Sequence, residues 1–151
     1  MADRQAVVIV EDPDEAEFLG RMLGQAGIDA TTVGSTMAAL DAVKAGQAGS
    51  LVVGMVLGRD SGLDLVQRVR GIDDPERAQL PIVVLAESSR AMDRLKAWER
   101  GADTFLTKPF HFDELVDALT SAETMAVEDR RQRRRQLFEA ERKRLAEERR
   151  R

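Results

Sequence analysis

Leu51-Val52-Val53-Gly54-Met55-Val56-Leu57, followed by Gly58-Arg59-Asp60-Ser61-Gly62, is the stretch that decides the fold. It is apolar at both alternating sets of positions, as a strand covered on both faces must be, and turn-forming residues close it. Strands of this kind sit in the middle of parallel sheets wrapped by helices. There a ligand or reactive group lies at the carboxyl end of a central strand, beside the point where strand order reverses. In the middle of this run, where chemistry would want a side chain, stands Gly54.

The flanking sequence repeats a βα alternation. Residues 6–10 form a β-branched run closed by Glu11-Asp12-Pro13-Asp14. Asp12 is placed to cap a helix, with Pro13 at its first position and Glu15 in its first turn. That helix carries Ala16, Leu19, Leu23 and Ala26 and stops at Gly27. Residues 28–33 read as a weaker strand, and Met37, Leu40 and Val43 mark a helix ending at Gly46. Beyond the central strand, Leu63, Val66 and Val69 mark the next helix, and residues 73–77 read as a charged surface connection. Residues 82–85 are the fourth strand. Ser88-Ser89 are expected to cap a helix holding Met92, Leu95, Ala97 and Trp98, which ends at Gly101. Residues 104–107 are a short fifth strand before Lys108-Pro109-Phe110, and a last helix starts near Phe112. Five strands alternating with five helices predict a parallel sheet covered on both faces. Neither a G-x-G-x-x-G after the first strand nor a Walker A motif is present, which argues against a dinucleotide-binding half-fold.

Composition narrows the chemistry. The 151 residues suit one domain with an appendage. With no cysteine there is no disulfide, thiol nucleophile or cysteine metal site, and a single histidine, His111, excludes a His-based zinc cluster. His111 is expected exposed at the start of the last helix, and strand topology suggests no Ser-His-Asp arrangement. No signal peptide or long apolar span is present, so a soluble cytoplasmic protein is expected, without membrane contact. The net charge of −4 hides a division. Residues 1–127 hold 21 acidic and 12 basic side chains, a net of −9, while residues 128–151 hold 6 acidic and 11 basic ones, a net of +5. The boundary is drawn there: a body over 1–127 and a charged helical extension over 128–151.

From Phe112 to Glu148 there is no Pro or Gly, so the last helix is expected to run on without a break. Leu137, Phe138, Ala140, Leu145 and Ala146 have helical spacing but hold no sustained heptad seam. The extension is read first as a pairing helix or two-stranded coil, next as a lone solvated helix, and last as a frayed tail. Its run Arg130-Arg131-Gln132-Arg133-Arg134-Arg135 would attract nucleic acid, but acids flank it and no helix-turn-helix or finger pattern follows. Nucleic-acid binding is therefore the minor reading.

Glu11 and Asp12, at the carboxyl end of the first strand, are a natural start for a Mg²⁺ site, since a hard cation wants oxygen ligands. A neighbouring strand would have to supply a further carboxylate, and the central strand has Gly54 instead, so any cation binding should be weak. Lys108, on the same rim, is expected to pair with Asp12. Pro109 is a candidate for a cis peptide. Trp98 is expected to pack on the surface of its helix.

These residues resemble the receiver domain of two-component response regulators over roughly residues 5–127. The likeness is carried by Val7-Val8-Ile9-Val10-Glu11-Asp12-Pro13, by the strand and turn from Leu51 to Gly62, by Pro81-Ile82-Val83-Val84-Leu85-Ala86, and by Gly101-Ala102-Asp103-Thr104-Phe105-Leu106-Thr107-Lys108-Pro109-Phe110. It implies a flavodoxin-like (βα)5 fold with sheet order 2-1-3-4-5, here with an extended C-terminal helix. It also implies a phosphoryl group taken from a histidine kinase onto an aspartate, assisted by Mg²⁺. Glu11 and Asp12 match the family's acidic pair, and Lys108 its lysine. Counting back from Gly62 puts the phosphoacceptor at Gly54, and the hydroxyl position falls on Ala86. Phe105, with Trp98 and Pro109, marks the switch and interaction face. A receiver-like module that binds a protein partner or itself without phosphorylation is therefore expected, a homodimer first, and not an enzyme. In the family such a helix often leads to an output domain. The alternatives are a residual acceptor at Asp12 or Asp60, or a nucleic-acid adaptor acting through the arginine tail.

Overall fold

A computed structural model describes residues 4–151. The strands are β1 (Gln5–Ile9), β2 (Asp29–Thr32), β3 (Ser50–Gly54), β4 (Val56–Leu57), β5 (Asp60–Ser61), β6 (Ile82–Ala86) and β7 (Thr104–Thr107). The helices are α1 (Pro13–Gln25), α2 (Thr36–Lys44), α3 (Gly62–Arg70), the single turn α4 (Pro75–Ala78), α5 (Ala91–Arg100), α6 (Phe112–Thr124) and α7 (Val127–Arg149). The main sheet is parallel, ordered β2-β1-β3-β6-β7, which is the expected 2-1-3-4-5 arrangement once the small β4-β5 hairpin is set aside.

Alternation along the buried strands builds two cores. Leu51 and Val53 point with Val7, Ile9, Ile82 and Val84 toward the side that packs Leu40, Leu63 and Val66. Val52 points the other way, with Val8, Val83 and Leu85, onto Leu19, Leu23, Leu115 and Leu119. The helices α1 and α6 therefore cover one face, and α2, α3 and α5 the other. Asp12 caps α1 as expected, its Oδ1 accepting from Asp14 N–H at 2.9 Å, with Pro13 at the first helical position.

Four local readings are corrected. The central strand stops at Gly54 rather than at Leu57. The chain then turns into a hairpin whose register, Val56 against Ser61, returns Gly62 beneath the strand end. The connection expected over residues 73–77 instead runs into the short helix α4 (Pro75–Ala78), capped by Asp74. Helix α5 starts two residues after Ser89, with Arg90 at its cap and no side-chain hydrogen bond there; Ser89 instead accepts through its carbonyl from Arg94 at 3.0 Å. The last helix is two helices. Met125 and Ala126 adopt extended backbone, ψ 143° and 149°, between α6 and α7. No Pro or Gly forces that break. What the break allows is the return of α7 along the surface of α5.

Candidate functional site

At the carboxyl ends of β1, β3 and β6 lies a cleft of 540 Å³, walled by Glu11, Asp12, Gly54, Ala86 and Lys108 among others. Three backbone bonds and one strand pairing fix its floor. Met55 N–H donates to Leu85 O at 2.8 Å, Gly62 N–H to Met55 O at 2.8 Å, Lys108 N–H to Ala86 O at 2.8 Å, and Gly54 pairs in register with Leu85. The fold therefore gathers the five residues expected at the rim. Gly54 and Ala86 are buried there and bring no polar side-chain atom.

Lys108 does not pair with Asp12. Its ammonium donates to Glu15 Oε2 at 2.6 Å and Glu87 Oε1 at 2.9 Å. The reason is local: an Asp12 carboxylate oxygen is turned back to cap α1, while Glu15 stands on the lysine's side of that helix. Burial pulls the Lys108 pKa down, but the hydrogen bonds to Glu15 and then Glu87 outweigh it, and the net shift is upward. The Lys108–Pro109 peptide is cis, with Pro109 exposed.

A Mg²⁺ ion does not fit this donor set well. Glu11 and Asp12 are both exposed, one Asp12 oxygen is engaged in the cap, and Gly54 contributes no carboxylate. Among the described residues no cluster of three or more His, Cys, Asp or Glu side chains is arranged to hold a metal. Asp60 lies in the β4-β5 hairpin and lines a different recess, with Gly34, Ser35 and Thr36, away from Lys108. His111 is exposed at the start of α6, its N–H donating to Glu114 Oε1 at 3.1 Å.

The second built feature is the surface of α5 and β7. Trp98 and Phe105 are half-buried and meet edge to face, centroids 6.4 Å apart and planes at 64°. The helix α7 lies over the α5 side of this surface. Its six covered positions are Arg130, Arg134, Leu137, Phe138, Glu141 and Leu145, a single stripe at helical spacing. Arg130 and Arg134 reach the loop after α5 and Glu141 reaches Arg94 in its first turn, so the two helices run antiparallel. The Glu141 carboxyl is held below the usual carboxylate range by its hydrogen bond from Arg94, against burial, with Arg144 adding to the effect. The extension is thus a docked helix, not a solvated one.

Asp103 anchors the arrangement, and sequence reading had passed over its role. It is 2% exposed. Its Oδ2 accepts from Ile82 N–H at 2.9 Å, Arg70 Nη2 at 3.0 Å and Arg130 Nη1 at 3.1 Å, and its Oδ1 from Arg134 Nη1 at 2.7 Å. Its carbonyl accepts from Arg133 Nη1 at 2.7 Å. Arg70 also donates to the carbonyls of Ala78, Leu80 and Gly101. Burial lowers the Arg70 pKa to about 10 despite the pull of Asp103, and the charges of Arg134 and Arg130 add to the lowering. One carboxylate thus gathers arginines from α3 and α7. The available signal was the Arg130/Arg134 spacing, in phase with Phe138 and Glu141.

Comparison with known proteins matches residues 7–120 to the family described as response regulator receiver domain. The DNA-binding transcriptional regulator NtrC of Azospirillum brasilense is 32% identical over 119 residues, covering 78% of this chain and 24% of the relative. The response regulator protein TodT of Pseudomonas putida is 28% identical over 132 residues, covering 86% of this chain and 56% of the relative. The chain thus spans about a quarter and about half of the length of these two. Among solved structures, the chemotaxis protein CheY4 of Vibrio cholerae superposes with a TM-score of 0.73 at 18% identity, over 80% of this chain and 99% of that one. The BeF3-activated N-terminal receiver domain of Klebsiella pneumoniae RstA gives 0.72 at 20% identity, over 81% and 100%.

Proposed function

The chain belongs to the response regulator receiver domain family, and we propose that it is a pseudo-receiver: a signalling module that works without phosphorylation, through protein contacts rather than catalysis. The observation that carries this reading is the pair Gly54 and Ala86 at the carboxyl ends of β3 and β6, where the cleft holds Lys108 and the acids Glu11, Asp12, Glu15, Glu87 and Asp93 but no carboxylate at the end of β3 and no hydroxyl at the end of β6. Packing does not impose the glycine. A Cβ at Gly54 would meet nothing closer than 3.5 Å, from Leu57 Cδ2 and Val10 Cα, which is ordinary contact. A side chain could stand there, so its absence is a loss of chemistry rather than a steric necessity.

The partner surface in this reading is the face of α5, β7 and α6, where Trp98, Phe105 and Pro109 stand. In the structure α7 lies over its α5 side, so pairing through that face competes with α7. A homodimer made there would form when α7 leaves. The arginine run gives little support to a nucleic-acid adaptor, because Arg130 and Arg134 turn inward to Asp103. A shifted acceptor at Asp60 is disfavoured by its distance from Lys108 in the fold. No helix among the described residues is long and apolar enough to cross a membrane.

The test is intact mass after incubation with acetyl phosphate and Mg²⁺. The protein is expected to keep its mass. The Gly54→Asp variant, which restores a carboxylate beside Glu11, Asp12 and Lys108, is expected to gain one phosphoryl group. A phosphorylated parent protein would overturn the reading.

A further inference from the structure

The chain is acidic overall, with a net charge of −4, yet it concentrates cations in one place. A cleft of 480 Å³ opens between α5 and α7, walled by Arg70, Arg100, Arg131, Arg134 and Arg135 together with Trp98 and Phe138. Glu99 is the one carboxylate on its wall. The positive charge is incompletely balanced. Arg100 pairs with Asp64 at 2.8 Å. Arg70 and Arg134 share the single charge of Asp103 with Arg130, so two positive charges there have no counterpart. Arg135 and Glu128, 3.9 Å apart, are both exposed, and Arg131 is exposed with no ion-pair partner among the described residues.

One further observation specifies more than an anion. Trp98 and Phe138 give the cleft apolar walls against which a flat ring can lie. A ligand answering both features carries phosphate and an aromatic ring. Planar guanidinium groups bind phosphate oxygens in pairs, and the volume falls within the range of roughly 300–1,000 Å³ common for small-molecule sites.

We propose that this cleft binds a nucleoside diphosphate, with its phosphates on Arg131 and Arg135 and its base against Trp98 and Phe138. Such a ligand bridges the body and α7, and so tightens the helix over the α5–β7 face. The input would then enter at this cleft rather than at the end of β3.

Trp98 is the only tryptophan, so its emission reports on this cleft alone. ADP, inorganic pyrophosphate and adenosine are each titrated into the full chain at low ionic strength without divalent cations. Trp98 fluorescence is read, and isothermal titration calorimetry serves as a readout that does not depend on the indole. Saturable binding of ADP is expected, with pyrophosphate at least about tenfold weaker and adenosine weaker still. Arg131→Glu and Arg135→Glu, both on exposed positions, should each weaken ADP binding by about tenfold or more while leaving the far-UV circular dichroism unchanged. No heat and no fluorescence change with ADP would overturn the proposal. So would pyrophosphate or adenosine binding as tightly as ADP, or variants that bind ADP as the parent does.

Discussion

Asparagine in place of Asp103 is expected to lower stability by about 3 kcal/mol. The substitution keeps the size of the side chain and one acceptor oxygen, removes the charge, and puts an NH2 donor where the second oxygen accepted. Three arginine side chains with exposures of 10%, 6% and 11% (Arg70, Arg130 and Arg134) then face one another without a carboxylate between them. Breaking a buried ion pair from one side is far more harmful than never having built it, because the stranded charge has lost its water. The same logic gives a second-site result: Arg130→Met, added to Asp103→Asn, should recover part of the loss. Urea unfolding followed by circular dichroism reads both. A loss within about 0.5 kcal/mol, as for an ordinary surface substitution, would mean that α7 is not held through Asp103.

Alanine at Gly62 is the other severe change. Its Cβ would stand 1.9 Å from Gly54 O and 2.9 Å from Gly54 C, both backbone atoms that cannot swing aside. Forcing the hairpin away from the end of β3 should cost about 3 kcal/mol. Alanine at Gly54 is the control. Its Cβ meets nothing closer than 3.5 Å, and strand interiors favour alanine over glycine by roughly 0.5–1 kcal/mol. Gly54→Ala should therefore be neutral or mildly stabilising. The two glycines at the ends of one turn thus have opposite standing: Gly62 is required by close backbone approach, while Gly54 is free to change.

Much of the sheet was legible because strand and helix periods differ. Val52 and Val53 belong to opposite cores, and that alternation is written in the unbroken apolar run from Leu51. The members of the carboxyl-end cleft were legible too, since topology brings strand ends together whatever their side chains do. Pairings were less so. Nothing local told Lys108 to choose Glu15 and Glu87 over Asp12; that choice rests on Asp12 having turned to its own helix. The placement of α7 escaped for a different reason. Its covered stripe mixes Arg130, Arg134 and Glu141 with Leu137, Phe138 and Leu145, so no apolar seam shows. The charges read as solvated until their partners, Asp103 and Arg94, are brought alongside by the fold. The extended backbone at Met125 and Ala126 is likewise a tertiary choice in residues that could have continued a helix.

In a pseudo-receiver the cleft at the end of β3 does not control the α5–β7 face, whose α5 side α7 covers by way of Asp103. Hydrogen exchange of the α7 amides, with and without beryllofluoride and Mg²⁺ as a phosphoryl mimic, tests it most directly. Protection across Val127–Arg149 and around Trp98 and Phe105 is expected to be the same in both conditions. A change in that protection on adding the mimic would show a working phosphoryl switch and overturn the pseudo-receiver reading.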